Sequence, residues 1–310
     1  MKRYLFAMVG LALLATSCSG SADVAATVNG TDIEKSTVQS MVHPSTEELS
    51  NEELVQLLDI LVQWTAIAET AKNDFGIEPS ADEIAAEIDR IFTAQGAGGT
   101  FDDFLVAQNI SEEGLDLYAA QLLIGEEVLN ELTESLAPPS VVEAQQLLTD
   151  DPYNWTTVCA AHILVATEEE ATAVLDRLGG GDEFADVAIE LSTDTGSGAA
   201  GGDLGCTVPS GYVEPFADAT MTGEIGNVVG PVESQFGFHL IRVDSRTEAT
   251  LEELQAGLAD ITLSEAIDEW YLASIGTAEV SVGAEYGSWE TEPFPGIVPA
   301  TTTPTPTLTP

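Results

Sequence analysis

Three histidines occur in the 310-residue chain, His43, His162 and His239. Two of them lie in apolar runs that alternate with period two. Val158-Cys159-Ala160-Ala161-His162-Ile163-Leu164-Val165 reads as a buried strand. Its pleat puts Val158, Ala160, His162 and Leu164 on one face and Cys159, Ala161, Ile163 and Val165 on the other. Gln235 to Val243 is a second alternating strand and carries His239. A neutral imidazole donates from one nitrogen and accepts at the other, so each can link two polar groups within an apolar setting. His43, in Met-Val-His-Pro, belongs to no motif and is expected at the surface. Other chemistries are disfavoured by spacing. His162, His239, Asp194, Cys159 and Cys206 do not stand at metal-ligand intervals such as His-Glu-x-x-His, so no metal is expected. No Walker loop is present, and no nucleotide or other cofactor is expected.

The elements that must position these residues are well punctuated. After the first strand, Thr167 with Glu170 forms a capping box for a helix bearing Ala171, Val174, Leu175 and Leu178. Beyond Gly179-Gly180-Gly181 a second helix carries Phe184, Val187, Ala188 and Leu191. A polar loop, Ser192 to Ala200, leads into Gly201-Gly202-Asp203-Leu204-Gly205, and Gly230-Pro231-Val232 precedes the second strand. Upstream, Ala26 to Ile33 surrounds an Asn29-Gly30 turn and reads as a hairpin. From Ser45 to Leu136 the pattern is helical. Leu54, Leu57, Leu58 and Leu61 share one face; Ile84, Ile88, Ile91 and Phe92 share another, behind a Ser80/Glu83 capping box. After a Gly-rich break at Gln95 to Thr100, a helix from about Glu112 carries Leu115, Ala119, Leu122, Leu129 and Leu132. Ser140 with Glu143 caps a short helix after Pro138-Pro139, and Thr250 with Glu253 caps one reaching about Ile275.

Val158 to Val243 resembles the parvulin prolyl isomerases, in the form carried by the PrsA/SurA-like extracytoplasmic foldases. The marks are the His-Ile-Leu strand, the Phe-Ala helix, Ser192-Thr193-Asp194, Gly-Gly-Asp-Leu-Gly, Val-Glu-Pro-Phe, Gly-Glu-Ile, Gly-Pro-Val and Gly-Phe-His-Leu-Ile, in that order. The hairpin and helices upstream are similar to the chaperone lobe of the same foldases. The resemblance implies an α+β fold: a parvulin-like domain, with an antiparallel four-stranded sheet and surrounding helices, inserted in an all-helical chaperone lobe. The implied divisions are a signal peptide at 1–18, the helical lobe at 19–150, the parvulin domain at 153–246, a C-terminal helix packing on the lobe at 247–278, and a disordered Pro/Thr-rich tail at 279–310. It implies peptidyl-prolyl cis/trans isomerase activity together with chaperoning of exported proteins. A holdase whose parvulin domain binds peptide without catalysis is the alternative.

The resemblance also assigns residues. His162 and His239 match the family's paired histidines, Ser234 a hydroxyl in their hydrogen-bond network, and Asp194 a position held by Cys or Asp. A carboxylate at 194 removes any obligatory thiol mechanism. Leu204, Tyr212 and Phe216 fall where the proline pocket is lined, with Tyr212 where Met is frequent, and Phe236 lies beside it. Cys159 faces away from His162, and Cys206 follows the Gly-Gly-Asp-Leu-Gly segment. If their strands lie together, a structural disulfide joins them. Redox catalysis is the other reading, and no Cys-x-x-Cys spacing supports it.

Composition sets the setting. Eight Lys and Arg stand against 53 Asp and Glu, a formal charge of -45. Such a field repels phosphate backbones, so nucleic acid is not an expected partner. Lys2 and Arg3 followed by apolar Leu5 to Ala15 form an export leader too short to span a bilayer comfortably. Ala15-Thr16-Ser17-Cys18 resembles the bacterial lipobox, with Ala15 where Leu is commoner, which implies lipidation of Cys18; plain secretion after cleavage nearby is the alternative. No later segment is expected to cross a membrane, so contact with the bilayer is through the lipid anchor only. The expected partners are unfolded or partly folded exported polypeptides containing X-Pro bonds, met outside the cytoplasm. The sequence does not fix an oligomeric state.

Overall fold

The computed structural model describes residues 24–44, 49–94 and 99–300. The signal segment, Cys18 and residues 301–310 of the tail lie outside the described residues. The chain divides into two compact units, one of residues 1–136 with 263–310, the other of residues 137–262.

In the first unit, β1 (Val24–Val28) and β2 (Thr31–Glu34) form the expected hairpin. Its turn places Asn29 at φ 50° and Gly30 at φ 89°, the left-handed pair that matches the twist of the flanking strands. After α1 (Lys35–Ser40) comes α2 (Asn51–Phe75), begun by a Ser50/Glu53 capping box and ended by Gly76 in the left-handed region. Glu69 of α2 accepts from Asn29 Nδ2 and Thr31 Oγ1 at 2.9 and 2.6 Å, tying the turn to the helix. Among the described residues, α2 alone is long and apolar enough to cross a membrane, although no segment after the leader is expected to do so. Its apolar face is instead core: Leu58, Val62 and Ala66 are fully buried, and Leu57 packs partly buried beside them.

Next come α3 (Ala81–Ala94), α4 (Phe101–Gln108) and α5 (Glu112–Ser135). α4 fills the part of the helical stretch between the Gly-rich break and α5; a Thr100/Asp103 capping box starts it and left-handed Asn109 ends it. Along α5 the buried stripe changes partner. Leu115 and Ala119 pack with Ile91 and Phe104, whereas Ile124 and Val128 pack with Ile67 and Ala71 of α2. Leu122 and Leu129, expected on the buried stripe, are consequently 37% and 40% exposed. His43 is also displaced from expectation: its side chain is only 14% exposed, with Nε2 3.9 Å from Asp102.

The described part of the expected disordered tail is ordered. β7 (Val280–Val282) pairs with β1 to give a three-stranded sheet in the order β2-β1-β7, and β8 (Gly287–Glu290) pairs with β9 (Gly296–Pro299). Tyr286 is buried in the core beneath β1, and Asp59 of α2 accepts from the Ile297 amide at 2.7 Å. The Pro and Thr content signalled disorder, but Val280, Val282 and Tyr286 are the apolar anchors that offset the ordering entropy. The lobe expected to be all-helical therefore carries a sheet and a second hairpin.

The second unit is built on a four-stranded antiparallel sheet in the order β4-β3-β6-β5. Its elements are α6 (Val141–Asp150), β3 (Thr156–Val165), α7 (Glu168–Gly179), α8 (Phe184–Leu191), β4 (Asp203–Thr207), α9 (Glu214–Thr222), β5 (Val228–Ser234) and β6 (Gly237–Glu248). α10 (Leu251–Gly276) begins in this unit and ends in the first. α6 and the first turns of α10, grouped with the lobe and the C-terminal helix from sequence, fall in this unit. Gln255 donates to the Pro139 carbonyl at 2.9 Å, and Gly257 lies so close to the Trp155 ring that a Cβ there would come within 1.9 Å. The two faces of β3 separate as the pleat requires. Ala161, Ile163 and Val165 pack under α7 and α8, while Ala160 packs with Phe216, Ile241 and Val243 beside α9.

Candidate active site

His162 on β3 and His239 on β6 sit on adjacent strands, on the same face and diagonally offset. The register pairs His162 with Ile241 and Leu164 with His239. Both side chains are buried, their rings nearly parallel at 17° and their Nδ1 atoms 3.2 Å apart. His162 Nε2 lies 2.7 Å from Asp194 Oδ2 and 3.1 Å from Ser197 Oγ, and His239 Nε2 lies 2.7 Å from Ser234 Oγ.

Ionised Asp194 dictates the direction of this chain. Ser197 donates to Oδ2 at 2.5 Å and the Gly196 amide to Oδ1 at 2.8 Å. With His162, these hydrogen bonds hold the carboxyl well below the usual carboxylate range, the Ser197 hydroxyl being the largest cause. A carboxylate only accepts, so His162 Nε2 must donate to it. The facing Nδ1 atoms of His162 and His239 share a hydrogen bond, and the Ser234 hydroxyl pairs with His239 Nε2. Burial, aided by the neighbouring His162 ring and opposed by Asp194, pushes His239 down to about 4, so it is neutral at pH 7. Every ring nitrogen is thus occupied and the two imidazoles are held rigidly.

The loop carrying Asp194 docks onto the end of β3. The Thr193 amide donates to the Leu164 carbonyl at 2.8 Å, and the His162 amide donates to the Gly202 carbonyl at 2.8 Å. Gly202 has φ 81°, and a Cβ there would meet the His162 carbonyl oxygen at 2.2 Å, so only glycine lets this loop close on the histidine. Gly196 to Gly201 spells Gly-x-Gly-x-x-Gly. It leads from α8 towards β4 rather than from a strand into a helix, and the Gly196 amide already serves Asp194, so it is not a dinucleotide loop.

Phe216, from α9, stands edge-on to both imidazoles, with ring centroids 5.4 Å from His162 and 5.2 Å from His239. Tyr212 packs against it at 4.7 Å, and Leu204 joins the same apolar cluster with Val213, Val229 and Val232. α9 is held at its far end by Arg246, whose guanidinium donates to the Thr220 and Gly223 carbonyls left free there. The structure therefore brings His162, Asp194, Ser234, His239, Leu204, Tyr212 and Phe216 together. Phe236 is not in the cluster: its ring is 61% exposed, and only its amide reaches in, donating to Ser234 Oγ at 3.1 Å. Ser197 was missed from sequence; the Asp-x-x-Ser spacing was its only signal. Cys159 and Cys206 lie opposite each other in the β3–β4 register and form a disulfide.

Residues 153–247 match the PPIC-type PPIASE domain family, and the class is a parvulin-type peptidyl-prolyl cis/trans isomerase. Relatives include the foldase protein PrsA of Halalkalibacterium halodurans, 33% identical over 241 residues, covering 73% of this chain and 71% of that one. The foldase protein PrsA of Clostridium botulinum is 30% identical over 253 residues, covering 74% of each chain. Among solved structures, PrsA from Bacillus cereus aligns with a TM-score of 0.45 at 20% identity, over 85% of this chain and 95% of that one. The chain belongs to the PrsA foldase family, which works outside the cytoplasm.

Proposed function

We propose that the protein isomerises X-Pro bonds in unfolded or partly folded exported polypeptides, held at the outer face of the cell membrane by a lipid on Cys18. The single observation that supports the catalytic reading most is the imidazole pair with Phe216 edge-on to both rings. An X-Pro bond resists rotation by ~18–20 kcal/mol and interconverts unaided over tens to hundreds of seconds. Rotation breaks amide resonance and withdraws charge from the carbonyl oxygen, so water, which favours the planar polar form, slows it. A dry surface that grips the prolyl ring and binds the twisted amide better than the planar one lowers the barrier. No covalent step is required. The roles are then distinct: Phe216, Tyr212 and Leu204 grip the ring, the imidazole pair supplies a fixed polar floor, and Asp194 with Ser234 sets its proton arrangement. The first unit, with its helices and C-terminal strands, is proposed to hold the client chain.

Exchange spectroscopy on a prolyl peptide tests the reading directly. The wild-type chain is expected to accelerate cis/trans exchange at substoichiometric concentration. Asp194→Asn, which removes the charge that orients His162, is expected to lower kcat/KM by about 10- to 100-fold, roughly 1.4–2.8 kcal/mol of transition-state binding. No acceleration by the wild-type chain with any prolyl peptide would leave only the holdase. For the anchor, Cys18→Ser is expected to move the protein from the membrane fraction to the medium; unchanged fractionation would remove the lipid from the proposal.

A further inference from the structure

Beside the proline-gripping cluster lies a hollow of about 370 Å³, lined by Tyr153, Ser210, Tyr212, Glu214, Ala217 and Asp218. Two aromatic rings and two carboxylates converge on it. Its walls are built rather than incidental. Tyr153 donates its phenol proton to Asp218 Oδ1 at 2.6 Å, and the Ser210 amide donates to the Tyr153 carbonyl at 3.2 Å. Glu214 and Asp218 stand four residues apart on α9, hence on one helix face. Tyr212 is a wall shared with the catalytic surface, since its ring packs 4.7 Å from Phe216. Its phenol oxygen is shielded from solvent and has no hydrogen-bond partner among the described residues.

Among the described residues, no basic side chain is paired with these carboxylates. The unit has three basic side chains, Arg177, Arg242 and Arg246. Arg177 pairs with Asp182 and Glu190, Arg242 with Asp244, and Arg246 with the carbonyls ending α9. A hollow with aromatic walls and uncompensated carboxylates matches an ammonium or guanidinium group on an apolar stem. One aromatic ring separates it from Phe216, so a long side chain one or two residues from the proline spans the distance. We propose that this hollow is a specificity subsite that takes a Lys or Arg side chain of the client within two residues of the isomerised proline, with Tyr153, Glu214 and Asp218 as its determinants. The proposal rests on the isomerase reading and adds which X-Pro bonds are served first.

The test pairs binding with catalysis on the full chain. Peptides of one sequence carry Lys, Gln or Glu in turn at each of the two positions on either side of proline. Kd is measured by titration of isotope-labelled protein, and exchange rates by exchange spectroscopy, which needs no coupling protease with preferences of its own. At one position Lys is expected to bind and turn over about three- to tenfold better than Gln, with Glu worse than both. That preference is expected to shrink as ionic strength rises from about 0.05 to about 0.5 M, where the screening length falls below the reach of the pair. Asp218→Lys is expected to reverse the order, favouring Glu, a change that mere loss of packing would not produce. Equal Kd and rates for Lys and Gln at all four positions, or a preference unmoved by both salt and Asp218→Lys, overturns the subsite while the isomerase reading stands. A Lys preference in Kd without acceleration of any peptide overturns the isomerase reading and leaves the subsite as a binding feature.

Discussion

His239 shows how one buried side chain links site chemistry to stability. Its ordinary value of 6.5 is pushed down to about 4 in the folded chain, chiefly by burial. The unfolded chain therefore binds more protons between those values, and the contribution of this group is fully present above pH 6.5 and is lost as pH falls towards 4. The loss amounts to about 3 kcal/mol at most. Asp194, held low by Ser197, His162 and Gly196, acts in the same direction in a more acidic window, losing its contribution as pH falls below the ordinary carboxylate value. Urea unfolding of the isomerase domain is thus expected to show stability declining from pH 6.5 to 4, and His239→Asn is expected to flatten that decline. Phe216 belongs to both site and core, being 3% exposed and packed with Ala160, Ile241 and Val243. Phe216→Ala is expected to cost about 3–5 kcal/mol in folding as well as turnover, so Phe216→Leu is the cleaner probe. It keeps most of the volume but removes the aromatic edge, and should lower kcat/KM with a smaller shift in melting temperature.

Among the elements, β4 depends most on a covalent tie. It is an edge strand, exposed over most of its length, yet it carries Leu204 into the apolar cluster and follows the loop that closes on His162. The Cys159–Cys206 disulfide joins it to β3 across 47 residues of chain. On the chain-entropy view, closing a loop of that size stabilises by about 4 kcal/mol. Cys159→Ser/Cys206→Ser is expected to lower the unfolding free energy by about 2–4 kcal/mol and to weaken peptide binding. Unchanged denaturant midpoints with and without reductant would show that sheet pairing alone holds the strand.

Over the whole molecule, the first unit joins parts from opposite ends of the chain. β7 completes the sheet of β1 and β2, and Tyr286 inserts beneath it. Ending the chain after Ala278 removes β7, β8, β9 and Tyr286, exposing Val28 and its neighbours. That truncation is expected to destabilise the first unit by about 3 kcal/mol or more, since it removes a buried aromatic worth roughly 1.5–3 kcal/mol together with two half-buried valines that pack on the same core. Loss of holdase activity with isomerase turnover retained would accompany it; an unchanged thermal profile would show that the C-terminal strands are passengers.

Local chemistry in the sequence determined the capping boxes at Ser80, Ser140, Thr167 and Thr250, the Asn29-Gly30 turn, the two faces of β3, and the place of His162 and His239 on apolar strands. Each depends on residues within a few positions of one another, where periodicity and backbone preference act directly. Tertiary structure decided what depends on distant partners. Ser197 reached His162 only because the loop folds back onto β3, and α5 turned Leu122 and Leu129 outward because its two halves pack on different helices. β7 became a strand rather than a tail because Val28 lay open to it some 250 residues away. The tyrosine-carboxylate hollow likewise exists only where residues 153 and 218 meet, since contacts set by chain return leave no periodic trace in composition.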